Sequence, residues 1–137
     1  MKILLMILSF ILVTTVLFAG DIKIIVNSKN SLSTLTKAEI SQYFLKKKKK
    51  WNVGKVKPID QKNNSSIRKQ FSKKILGKNV SEVKKYWMEK MFAGRDNPPK
   101  IKSSDNAVID YVKSHKGAIG YVSKDANTDG VKVIKVK

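Results

Sequence analysis

This sequence predicts an α/β fold: one mixed sheet of about four to five strands with helices on both faces. Two observations carry that expectation. Short β-branched runs alternate with amphipathic stretches along the chain, and such alternation folds as helices packed on a shared sheet. In addition, the 137 residues hold no internal repeat and no linker, so the length suits one domain. The expected architecture is a single three-layer α/β/α lobe over residues 21–137.

The first twenty residues stand apart. Met1-Lys2 gives a positive start, residues 3–18 are almost wholly apolar, and Ala19-Gly20 offers small residues for a peptidase. That is the anatomy of a secretory signal peptide over residues 1–20, with an uncleaved N-terminal anchor as the alternative. Export of the remainder to the periplasm or cell exterior follows. There is no cysteine, and hence no disulfide framework, thiolate metal site or lipid-attachment residue.

Asp21–Val26 reads as the first strand. Thr36 and Glu39 then stand at capping-box spacing, with Leu35 and Ile40 as a hydrophobic staple, so a helix starts here and buries Ile40, Tyr43 and Phe44. Five like charges at Lys46–Lys50 repel one another and predict a loop or a fraying helix end before Trp51. A strand follows at Lys55–Ile59. After a polar loop comes a helix over Ser66–Leu76, with Ile67, Phe71 and Ile75 on one face and Gly77 as its stop. A third helix starts near Ser81, its stripe of Val83, Tyr86, Trp87 and Met91 expected in the core. Lys100–Lys102 reads as a short strand and Ser103-Ser104-Asp105 as the cap of a fourth helix, ending near His115. Ala118–Val122, with Gly120 marking a close approach, and Val131–Val136 complete the sheet.

The stretch with most chemistry runs from Asp60 to Phe71. A helix that begins at Ser65-Ser66 offers unpaired backbone N–H groups and the positive end of its dipole, with two hydroxyls and Arg68 close by. Those residues suit an anion site, and equally a pair of serines that only cap their own helix. Elsewhere the chain lacks catalytic groupings. Its single histidine, His115, sits beside Lys113 and Lys116 where a helix dipole favours it, and no triad, metal spacing or phosphate-cradling glycine loop is present. The expectation is a protein without enzyme activity, cofactor or metal.

The order of these features resembles the phosphate-binding proteins of ABC transporters, in the type 2 periplasmic-binding-protein superfamily. Leu35–Ile40 with Tyr43-Phe44, then Trp51, Ser65-Ser66-Ile67-Arg68 with Phe71, and Gly117–Val122 carry the resemblance. Tyr86-Trp87, Phe92-Ala93-Gly94 and Pro98-Pro99 point to a short subfamily built from one lobe. The resemblance implies a periplasmic-binding-protein fold and an oxyanion ligand, most plausibly inorganic phosphate. The implied phosphate-binding residues are Gln61, Asn63, Ser65, Ser66 and Arg68. Gln61 stands where relatives have an arginine, Asn63 where they have an aspartate, and Ser66 and Ile67 where they have glycine and threonine. An ABC permease is the implied partner.

Charge adds a second reading. With 29 Lys+Arg against 10 Asp+Glu the chain carries +19, which favours association with anions. No motif of a known nucleic-acid reader accompanies the lysines, so nucleic acid is not expected as a partner. The alternative function is a scaffold or adhesion module of the same fold whose basic surface, Lys46–Lys50 included, contacts anionic cell-envelope polymers.

Overall fold

The computed structural model describes residues 22–137, so the leader expected over residues 1–20 lies outside the described residues. Strands β1 (Ile22–Asn27), β7 (Ala118–Ser123) and β8 (Val131–Val136) form the antiparallel centre of a six-stranded sheet, β1 lying between the other two. On one side, β5 (Lys57–Gln61) runs parallel to β7, and β6 (Lys100–Lys102) parallel to β5. On the other edge, β2 (Thr34–Leu35) runs parallel to β8. The sheet is mixed, as expected, but has six strands rather than four to five. The addition is β2, whose two residues are too few to show a period.

The lysine run is turn and loop over residues 46–49, as expected, and only its last residue enters a strand. There β3 (Lys50–Trp51) and β4 (Gly54–Lys55) pair as a short hairpin, and Gly54 supplies the positive φ (99°) that its turn requires. Trp51 folds back against Tyr43, ring centroids 4.9 Å apart.

Among the described residues, four helices cover the sheet. In α1 (Lys37–Phe44) the capping box forms: the Glu39 N–H donates to Thr36 Oγ1 at 3.1 Å, and the Thr36 N–H to Glu39 Oε1 at 3.2 Å. Helix α2 (Ser66–Phe71) continues as a π-helical segment, Ser72–Leu76, and stops at Gly77 with φ 64°. Helix α3 (Val80–Phe92) starts one residue earlier than expected, because Asn79 and Glu82 make a second capping box. Ser104 caps α4 (Asp105–Ser114). Beyond it, the His115 ring stacks on Tyr111 with centroids 3.7 Å apart.

Alternation along the central strands makes two cores. Ile24, Val26, Ile119 and Tyr121 face α1, α2 and α3, whereas Ile25, Ala118 and Val122 face α4. On the first face Phe71 stacks on Tyr121 with centroids 3.9 Å apart, beside Phe44; all three rings are buried, and truncating Phe71 to alanine would cost about 3–5 kcal/mol. On the second, Gly120 permits α4 to pack closely, since a Cβ there would lie 2.6 Å from Val108 Cγ1. The stripe on α3 is only partly core. Val83 and Trp87 are buried, Tyr86 is half-buried with its hydroxyl donating to the Leu45 carbonyl, and Met91 is 46% exposed.

Candidate functional site

The parallel strands β5, β6 and β7 end on the same side of the sheet, and two helices begin there. Helix α2 follows β5 and α4 follows β6, so two helix N-termini meet the carboxyl ends of the strands. That is where open α/β sheets place ligands. An open crevice of about 550 Å³ lies at this point, lined by Gln61, Ser65, Ser66, Asp105, Ser123 and Lys124, with Ile67, Gln70 and Asp125 at its edges.

Hydrogen bonding decides which of these groups are free. Ser65 is the N-cap: its Oγ accepts from the Arg68 N–H at 3.3 Å and donates to the Lys62 carbonyl at 2.7 Å. Ser66 Oγ accepts one bond, from Gln70 Nε2 at 3.3 Å. The side chain of Gln61 is buried and engaged, its Nε2 donating to Asp105 Oδ1 and to the Tyr121 carbonyl, both at 2.9 Å. Ser123 Oγ donates to the other oxygen of Asp105. Asp105 occupies the first turn of α4, where the helix dipole favours a carboxylate. Gln61 therefore joins two strands to a helix start and builds the floor of the crevice.

Arg68 lies on the opposite face of β5. It is 3% exposed and pairs with buried Asp60, Nε to Oδ1 3.4 Å, while its Nε and Nη1 have no hydrogen-bond partner. Asp60 also accepts from the Tyr121 hydroxyl and from the Gln61 N–H at 2.8 Å. Burial pushes the Asp60 carboxyl up, against the pull of Arg68 and of the Tyr121 hydroxyl; burial and then Asp60 push the Tyr121 hydroxyl up in turn. Asn63 lines the same side, in a narrow groove of about 170 Å³ with Arg68, Trp87 and Pro99.

The five expected residues are thus divided. Gln61, Ser65 and Ser66 line the crevice, whereas Asn63 and Arg68 line a groove behind β5. For Gln61 and Arg68 strand alternation contributes: Gln61 and Asp60, the partner of Arg68, are neighbours, and neighbours on a strand point to opposite faces. Sequence reading missed Asp105, Ser123 and Lys124. The first two carried a signal only as a helix cap and a strand end, and Lys124 stood among many lysines. Among the described residues, no group of three or more histidines, cysteines and carboxylates could hold a metal ion.

The fold has solved counterparts. A protein from Clostridium perfringens, assigned as a phosphate ABC transporter substrate-binding protein and solved with bound phosphate, superposes with a TM-score of 0.67 at 21% identity, covering 85% of this chain and 44% of its own. An ABC-type phosphate transport receptor from Vibrio cholerae gives 0.67 at 17% identity, covering 85% of this chain and 46% of its own. This chain has the fold of the part of these solved proteins that it covers. PstS from Borrelia burgdorferi agrees, at 0.65 and 13% identity over 85% of this chain and 47% of its own. The chain accordingly spans about half the length of these solved proteins. No family model matches it, and neither does any curated protein sequence.

Proposed function

We propose that residues 21–137 form a single exported lobe of the solute-binding type, which takes up an oxyanion, inorganic phosphate first, at the Ser65-Ser66 helix start. The observation that carries this reading is the start of α2 opening on one crevice at the carboxyl ends of β5, β6 and β7, beside Lys124, the neighbouring start of α4 being occupied by Asp105. The first N–H groups of α2 have no intrahelical partners, and Ser66 Oγ carries only one long bond, so both can donate to an anion. Lys124 supplies a cation at the rim, and Asp125 can accept the proton of a hydrogen phosphate, which sulfate lacks at neutral pH. Support from outside the chain is that solved proteins of the same fold are phosphate transport proteins. A permease is the partner this role implies, and no catalytic step is part of it.

Arg68 and Asn63 enter this proposal in a different role from the one the resemblance implied. Arg68 holds Asp60 and, through it, the Gln61 backbone and Tyr121, and so positions the floor of the crevice without touching the ligand. The open crevice lacks charged donors from a second wall, so affinity should be modest, with a Kd of about 1 mM (about −4 kcal/mol). Titration calorimetry with phosphate and sulfate at physiological salt tests the reading. Heat with phosphate and little with sulfate is expected, and Ser65→Ala with Ser66→Ala should abolish it at a stability cost of about 1 kcal/mol for the lost cap. Absence of heat and of any melting-temperature shift at ten millimolar phosphate, on the order of ten times that Kd, would overturn the proposal.

A further inference from the structure

A dense group of lysines lies at the other end of β5, and the oxyanion crevice makes no use of it. A cavity of about 310 Å³ there is lined by six lysines, Lys46, Lys48, Lys49, Lys55, Lys57 and Lys100, with Asp96 as the lone carboxylate. The six come from four separate places in the sequence. Lys46, Lys48 and Lys49 follow α1, Lys55 ends the small hairpin, Lys57 opens β5 and Lys100 opens β6. Sheet pairing brings the last two regions together, Ile59 of β5 standing opposite Lys100. Asp96 draws in only two of the ammonium groups, Lys49 at 2.8 Å and Lys46 at 3.7 Å. Among the described residues, Lys48, Lys55, Lys57 and Lys100 form no salt bridge, although Lys48 also acts at longer range on the Glu39 carboxylate. Aromatic faces hold two of these, Lys48 over Tyr43 at 5.6 Å and Lys100 over Tyr111 at 5.4 Å, so their positions are partly fixed.

We infer that this cavity is a second anion site, separate from the Ser65-Ser66 crevice, built for a chain of linked phosphates. Convergence of unpaired like charges on one concavity is unfavourable unless something offsets it, and concave walls focus the field on the space between them. The surplus is five positive charges. One phosphate, with a charge of about −2, would leave most of that surplus unmatched, whereas three or four linked phosphates would meet it. Ammonium groups are point charges with three donors each, suited to phosphate oxygens that vary in direction along a chain. Two sources share this chemistry, free linear polyphosphate and a phosphodiester-linked envelope polymer.

The test compares binding of tetrapolyphosphate, a glycerol-phosphate polymer and orthophosphate at 150 mM salt by calorimetry. The expected result is that at least one of the two phosphate chains binds ten-fold or more tighter than orthophosphate, and the stronger of the two identifies the source. Lys55→Gln/Lys57→Gln/Lys100→Gln should weaken that binding at least ten-fold. The triple variant Lys73→Gln/Lys84→Gln/Lys135→Gln removes the same charge from positions that do not line the cavity, and should change it less than three-fold. Equal losses in the two triple variants would overturn the site in favour of general charge attraction. Equal affinity for duplex DNA, lost with the same three lysines, would overturn the preference for phosphate chains. Ser65→Ala/Ser66→Ala should leave polyphosphate affinity unchanged, so failure at one site does not decide the other.

Discussion

Strand β5 joins two unlike surfaces, and only one of them can be described by its hydrogen bonds. At its carboxyl end, Gln61 is buried and bonded to both Asp105 and Tyr121, Ser123 completes Asp105, and Ser65 closes its own helix. Around its amino end, Lys55 and Lys57 stand with four other lysines about a cavity that holds a single carboxylate. The first surface is ordered by short-range bonds and is close to electrically balanced. The second is held by sheet pairing, two contacts to Asp96 and two aromatic faces, and carries a large uncompensated field. Selectivity belongs to the first kind of surface, because donors and acceptors at fixed positions can discriminate between ligands. The second kind supplies attraction, which falls as salt rises.

The comparison breaks first at Arg68. If Arg68 supports the bonded end through Asp60, then Arg68→Met leaves a buried, uncompensated carboxylate, and the loss should be about 3 kcal/mol or more, about 10 °C or more in melting temperature. Asp60→Asn combined with Arg68→Met removes both charges and should recover most of that loss. Urea denaturation of the two variants measures the difference. A single variant that keeps its stability but loses phosphate binding would place Arg68 on the ligand and return it to the role the resemblance implied.

Gly117 sharpens the comparison at the opposite end. A Cβ there would fall 2.0 Å from the Lys55 carbonyl oxygen, a backbone atom, and the Gly117 carbonyl accepts from the Lys57 N–H at 2.8 Å. Gly117→Ala should therefore displace the hairpin from β5 at a cost of about 1–3 kcal/mol. Polyphosphate binding should weaken with it, while phosphate binding at Ser65-Ser66 stays within about two-fold, well inside the tenfold that 1.4 kcal/mol represents. Parallel loss at both ends would mean that β5 transmits the disturbance and that the two surfaces are not independent.

Local signals in the sequence located most of the fold. The Thr36–Glu39 box, the Gly77 stop, the Ser104 cap and the close approach at Gly120 each rest on neighbouring residues, and each formed. Features that depend on distant pairing were not legible. The edge strand at Thr34–Leu35 is defined by its pairing with β8, and the short hairpin after the lysine run pairs Lys50-Trp51 with Gly54-Lys55 while Trp51 packs on Tyr43. The site divided in the same way. Ser65 and Ser66 were visible from helix-start chemistry, whereas the distribution of Gln61 and Arg68 to opposite faces follows from the register of β5. No count of spacings reveals that Asp60 pairs with Arg68.

The smallest effect separates order from attraction within the lysine surface itself. Asp96 accepts a hydrogen bond from Lys49, which, with Lys46 nearby, holds its carboxyl below the ordinary 3.8. A carboxyl whose folded value is depressed adds stability above its unfolded value, and that contribution disappears as pH falls through the folded one. Its size at an exposed rim is about 0.5 kcal/mol. Asp96→Asn should therefore lower stability slightly at pH 7 and not at pH 2, read from paired urea curves. Its effect on polyphosphate should have the opposite sign, because removing the only carboxylate of the cavity raises the surplus charge facing the ligand. Affinity should rise by about two- to five-fold at low salt, the scale of one exposed charge. A fall in affinity would mean that Asp96 matters mainly by holding Lys46 and Lys49 in place, and that this end of β5 also depends on fixed geometry.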